Sequence, residues 1–172
     1  MADTNILIYV LRKDLRVTDN PILHHLSSTS DHGYTHLLPV YVFPDAQMDL
    51  SGLVKEGDSE GRDERFRAWS HVGHYPRCGP YRAKFIAETV WDVKASLEAI
   101  GSGLVLRAGD VGAAISTLIE GFAEKQLRVG AVWTTALVGS EEADQEIAIA
   151  KACERTGTHF KIWEDEKYFI DE

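Results

Sequence analysis

Cysteine is scarce in this chain of 172 residues: only Cys78 and Cys153 are present. Two thiols so far apart make no disulfide framework and fit a reducing compartment. No apolar run approaches the ~20 residues that a helix needs to cross a bilayer. Basic residues are also few, with 18 Lys and Arg against 27 Asp and Glu and a net charge of −9. A domain that grips nucleic-acid phosphates by itself carries a basic footprint, so any such contact is expected on another surface. A glycine-rich phosphate loop is missing too. Gly101-Ser102-Gly103 precedes a strand instead of following one, which excludes a dinucleotide fingerprint. Internal repeats and low-complexity segments are absent. The polar, acidic start Met1-Ala2-Asp3-Thr4-Asn5 shows no secretory or mitochondrial presequence, so residence in the cytoplasm or nucleus is expected.

What remains is an ordinary globular composition, 44% hydrophobic and 26% charged, enough for one domain with a real core. The run Ile6 to Val10 reads as a buried first strand. The charged stretch Arg12-Lys13-Asp14-Leu15-Arg16 follows it, and Asp19-Asn20-Pro21 then supplies cap residues and an N1 proline for a helix carrying Ile22, Leu23 and Leu26. Leu37 to Phe43 is a second strand, apolar throughout as expected of one covered on both faces. Pro39 within it implies an irregular start or an edge. Residues 44 to 78 have no clean periodicity, only a possible short helix from Arg62 to Trp69, and form a long excursion. His71, His74 and Cys78 lack the fourth ligand and compact spacing of structural zinc, so no metal is expected.

From Pro80 a helix extends to about Ile100, with Phe85, Ile86, Val90, Val93, Leu97 and Ile100 as its apolar stripe. Arg82 and Lys84 in its first turn oppose the helix dipole; they read as solvated side chains or as a hint of an anionic partner. Leu104 to Leu106 is strand three, and Asp110 caps a helix through Ile115, Leu118, Ile119 and Phe122. Val129 to Trp133 is strand four, Ser140 caps the helix of Ala143, Ile147 and Ala150, and Phe160 to Trp163 is strand five. This order is an α/β chain with a doubly wound, five-stranded parallel sheet and right-handed crossovers. Ligands of such sheets bind at the carboxyl ends of the strands, where the charged loop after strand one lies. The four tryptophans, Trp69, Trp91, Trp133 and Trp163, are scattered and read as packing residues.

Leu11-Arg12-Lys13-Asp14-Leu15-Arg16 with Asp19-Asn20 resembles the opening of the photolyase/cryptochrome family. The block His74 to Phe85, the Leu104 to Asp110 turn, Ser140-Glu141-Glu142 and Lys161-Ile162-Trp163 with Tyr168-Phe169-Ile170 are similar to the DASH-type cryptochromes. The resemblance implies a Rossmann-like three-layer sandwich over residues 1–163, with 164–172 the start of an interdomain linker. It also implies a helical FAD-binding domain, not contained in these residues, that carries the DNA face and the light-driven repair of cyclobutane pyrimidine dimers or blue-light reception. By itself the chain is then expected not to catalyse. Its expected partner is that helical domain, with DNA reached only through it and no membrane involved.

The resemblance further implies an antenna crevice for methenyltetrahydrofolate, formed here by Leu11, Arg12, Phe43, Asp45, Thr135, Leu137 and Glu141. DASH-type relatives carry a Glu where Leu137 stands, three residues before Ser140, and the Pro44-Asp45-Ala46 order also departs from the family's. A leucine cannot bond a pterin's ring and amino nitrogens, and a lost charged hydrogen bond costs about 1.5–3 kcal/mol. The expectation is therefore a family fold whose folate site has drifted, with Glu141 as another anchor. A purely structural docking domain is the bland alternative. A stand-alone nucleotide- or partner-binding module is the third reading.

Overall fold

The computed structural model describes residues 4–44 and 78–165. The Arg62–Trp69 helix, His71 and His74, Asp45, Trp69 and the tail Tyr168 to Ile170 lie outside the described residues. Five strands alternate with four helices: β1 (Asn5–Leu11), α1 (Pro21–Ser28), β2 (His36–Phe43), α2 (Pro80–Ala99), β3 (Val105–Ala108), α3 (Val111–Glu124), β4 (Arg128–Thr135), α4 (Ser140–Thr156) and β5 (His159–Trp163). All strand pairs are parallel, in the order β3-β2-β1-β4-β5. The chain winds outward from β1 to one edge and then returns to the other side, so the reversal falls between β1 and β4.

β1 shows why an unbroken apolar run is needed at the centre of such a sheet. Side chains alternate between faces every second residue. Ile6, Ile8 and Val10 pack with Ile115 and Ile119 of α3 and Ile149 and Cys153 of α4. Leu7, Tyr9 and Leu11 pack on the other face with Ile22 of α1 and Val90, Val93 and Leu97 of α2. Asn20 fixes where α1 starts: its side-chain oxygen accepts from the Ile22 and Leu23 amides, both at 3.1 Å, and its amide donates to the Tyr9 hydroxyl at 2.7 Å. Asp110 starts α3 by accepting from Ala113 N at 2.7 Å.

Three local expectations are corrected. Ser140 does not cap α4: Gly139 is the N-cap and offers no side chain, and Ser140 is already helical. Pro39 lies in an interior strand, regularly opposite Tyr9 of β1, not at an edge. The missing N–H is tolerated where the β3 ladder has not begun, since that pairing opens at Val40–Val105. Phe85 and Ile100 leave the stripe of α2 and are 69% and 72% exposed. Ile86, Val90, Val93 and Leu97 form the inward ridge at spacings of three and four, whereas Phe85 is rotated ~100° from Ile86 and Ile100 follows the last helical turn.

Burial also sets an alkaline limit. It pushes the Tyr9 phenol from 10.0 up to about 12 and the Cys153 thiol from 9.0 up to about 11. Both stay neutral in the folded core while the unfolded chain ionises first, so stability is full below about pH 9 and falls progressively as pH rises to about 12. The expected loss is ~2–3 kcal/mol per group. Urea midpoints measured at pH 8 and pH 11 should show it, and Tyr9→Phe should remove the part of the decline above pH 10. A midpoint independent of pH over that range would contradict both assignments.

Candidate ligand cleft at the carboxyl ends of the strands

The reversal point between β1 and β4 is filled by one side chain. Arg12 leaves the end of β1 and turns back between the strands, only 7% exposed. Its Nε donates to Thr134 Oγ1 at 3.1 Å and its Nη1 to the Glu142 carbonyl at 2.9 Å. Its Nη2 donates to the Thr135 carbonyl and to Glu146 Oε1, both at 2.5 Å. Thr134 Oγ1 in turn donates to the Val10 carbonyl, and Glu146 Oε1 also accepts from Leu137 N. The guanidinium thus joins β1, β4 and the first turns of α4. Where a nucleotide-binding sheet of this type keeps a glycine loop open for pyrophosphate, this chain has a closed polar knot.

Flanking charges are paired as well. Lys13 bonds the buried carboxylate of Glu142. Burial alone would raise the Glu142 carboxyl, but the bonds from Lys13 and from its own backbone amide hold it below the usual carboxylate range. Arg16 forks onto Asp14 at 2.7 and 3.0 Å and also reaches Asp165, the last described residue.

Two recesses open around this knot. The larger, about 560 Å³, has an apolar interior of Leu11, Tyr41, Ile86, Val111 and Ala148, with Arg82, Asp110 and Glu142 among its charged lining. The smaller, about 260 Å³, is lined by Asp14, Thr135, Ala136, Leu137 and Asp165, and the two share Lys13 and Arg16. The single crevice expected from sequence is therefore divided. Leu11, Arg12 and Glu141 line the larger recess, and Thr135 and Leu137 the smaller. Phe43 lines neither; it packs edge-on against Tyr41, ring centres 4.9 Å apart. Asp45 is outside the described residues.

Sequence reasoning missed Tyr41, Phe85, Val111 and Ala148 as cleft residues. Asp110 was legible only as a cap, although its place after β3 put it at the same end of the sheet. Arg82 does line the cleft, while Lys84 pairs with Glu88 along the helix. Trp133 and Trp163 pack together, ring centres 5.1 Å apart, with Lys161 Nζ 3.6 Å above Trp163. Trp91 is exposed. Among the described residues no group of three or more His, Cys, Asp or Glu side chains is placed to hold a metal ion, and no helix is long and apolar enough to cross a membrane.

The fold and cleft define an open, doubly wound α/β domain with a ligand-sized hollow at the carboxyl ends of its strands. The family model for DNA photolyase matches residues 7–169. The chain belongs to the DNA photolyase family, as a domain of the N-terminal, cryptochrome DASH type. It is 52% identical over 171 residues to a putative mitochondrial cryptochrome DASH of Neurospora crassa, covering 99% of this chain and 23% of that protein. A Synechocystis cryptochrome superposes with a TM-score of 0.68 at 21% identity, covering 94% of this chain and 28% of the other. An archaeal photolyase from Sulfolobus tokodaii, described with two FAD molecules and a novel light-harvesting cofactor, superposes at 0.60 with 20% identity over 93% and 29%.

The chain spans about a quarter of the length of the curated relatives it matches. The family binds flavin and uses antenna cofactors. These likenesses support the photolyase-type reading and not a stand-alone nucleotide-binding module. The expected cytoplasmic or nuclear residence is corrected: the 52% identical Neurospora crassa relative is named as mitochondrial. That expectation rested on the absence of an address signal in a few residues, and such an absence fixes no compartment.

Proposed function

We propose that these residues form the light-harvesting and docking domain of a DASH-type flavoprotein. The parent protein would use blue or near-UV light to drive electron transfer from reduced FAD to a cyclobutane pyrimidine dimer, with single-stranded DNA as the preferred substrate, or would use the same excitation for signalling. Residues 1–163 form the α/β domain in this reading, 164–172 begin the linker, and FAD and DNA belong to the helical half. The 52% identity over nearly the entire chain to a cryptochrome DASH carries the proposal, and the net charge of −9 agrees with a DNA face located elsewhere.

An antenna chromophore would absorb light and pass excitation to the flavin. The larger cleft, with its apolar walls and ~560 Å³, suits a ring system of drug-like size. The recess at Leu137 has less than half that volume and no ionisable group at that position. Its amide already donates to Glu146. Methenyltetrahydrofolate is accordingly a poor ligand, and Leu137→Glu is expected to raise its retention by about tenfold, the return of one charged hydrogen bond.

The test is illumination of the full-length, flavin-reduced protein with dimer-containing oligonucleotides. Repair that is faster on single strands, with an action spectrum extending beyond that of flavin when the cleft is loaded, is the expected result. Flavin binding without repair on either substrate would favour signalling. Absence of flavin from the full-length protein would defeat the proposal.

A further inference from the structure

The end of β5 is tied to the rest of the sheet from two directions. Along the main chain, the Ala136 amide donates to the Trp163 carbonyl at 2.7 Å, joining the last residue of β5 to the turn after β4. From the side, Arg16 reaches across 149 positions to the carboxylate of Asp165, just beyond that strand. The guanidinium is held in place for this contact. Asp14, whose side chain is only 11% exposed, accepts from Arg16 Nε at 2.7 Å and from its Nη2 at 3.0 Å. The same carboxylate also accepts from the Arg16 amide at 3.3 Å. The Arg16 carbonyl accepts from Asn20, the residue that caps α1 and donates to the Tyr9 hydroxyl. Both the main chain and the side chain of Arg16 are thus held by partners other than Asp165. The Nη2 that meets Asp14 is the one that meets Asp165.

Resting on the reading of residues 164–172 as the start of a linker, we infer that Arg16 is a positioning residue, a latch that fixes where the chain leaves the α/β domain. A planar fork already seated on one carboxylate gives up little freedom on taking a second, so the contact is stronger than one between two mobile surface side chains. Asp165 also lines the smaller recess beside Leu137, and Arg16 lines both recesses. The latch therefore holds one wall of the smaller recess together with the exit of the chain. Through Asn20 it sets that exit relative to the first turn of α1.

Hydrogen exchange of the full-length protein, read by mass spectrometry at single amides, tests the latch. Asp165→Asn is expected to speed exchange of the Ala136 amide about threefold, in keeping with the strength of a partly exposed ion pair. Arg16→Gln should speed it at least as much. Arg16→Lys, which keeps the charge and loses the fork, should recover less than half of that protection. Amides at the centre of β1 should not change, which separates release of the exit from global opening. The double variant isolates the pair: once Arg16 is replaced by Gln, Asp165→Asn should add nothing. Raising KCl from about 0.05 to about 0.5 M should speed exchange in the parent and leave Arg16→Gln unchanged. Equal Ala136 exchange in the parent and both single variants would overturn the inference, and so would effects that add in the double variant. A full-length protein without flavin would defeat the flavoprotein reading on which the linker rests, while these rates still decide the latch.

Discussion

Arg12→Ala is expected to lower the melting temperature by about 10 °C, the largest effect of any single polar substitution in the domain. The guanidinium is buried and makes four hydrogen bonds at 2.5–3.1 Å to β4 and α4. Removing it leaves Glu146 without its cation and takes one donor from each of the Thr135 and Glu142 carbonyls. Breaking a buried pair from one side costs about 3–5 kcal/mol, and each kcal/mol moves the midpoint of a domain this size by roughly 2–4 °C. Arg12→Lys should recover less than half of the loss, because one ammonium cannot span acceptors on two elements. The double change Arg12→Met with Glu146→Leu should be milder than Arg12→Met alone, since the orphaned carboxylate goes with it. Thermal unfolding followed by circular dichroism checks all four. A shift below about 2 °C for Arg12→Ala would show that water or neighbouring side chains replace the guanidinium.

Gly112→Leu should destabilise by about 2–4 kcal/mol, although glycine is a poor helix residue. Gly112 lies in the first turn of α3, and a Cβ there would stand 2.8 Å from the Ala148 carbonyl oxygen and 3.2 Å from the Ala148 Cβ in α4. The obstruction is backbone, so the two helices must separate to admit a side chain. Gly112→Ala isolates the competition: propensity favours alanine by up to ~1 kcal/mol, whereas overpacking costs ~1–3 kcal/mol. The expected sign is a net loss. Urea unfolding that finds Gly112→Ala more stable than the parent would mean that α3 and α4 slide apart freely.

The positions of β1, α1 and α3 could be read directly from sequence because their signals are local. The apolar run from Ile6 to Val10, the Asn20 cap before Pro21 and the Asp110 cap before Val111 act within a few residues of where they are written. The start of α4 was misassigned to Ser140 because a serine before Glu-Glu is a good cap by composition, yet Glu142 supplies the carboxylate from within the helix. The apolar stripe of α2 was drawn too wide for a similar reason. Phe85 and Ile100 are hydrophobic, and only the packing partner decides which hydrophobic positions face inward.

By itself the sequence determined the family, the alternation of strands and helices and the end of the sheet where a ligand belongs. Its resemblance to the DASH-type cryptochromes also implied that Leu137 stands where their pattern has a carboxylate. Those properties reside in local propensity, in hydrophobic period and in the identity of side chains. Only the tertiary structure decided that the expected crevice is two recesses and that Arg12 is a structural knot between β1 and β4. It alone revealed that Asp110 and Glu142, 32 positions apart, line the same cleft. The reason is physical: hydrogen-bond partners and cavity walls are set by strand order, and that order brings together residues whose separation along the chain carries no signal of their meeting.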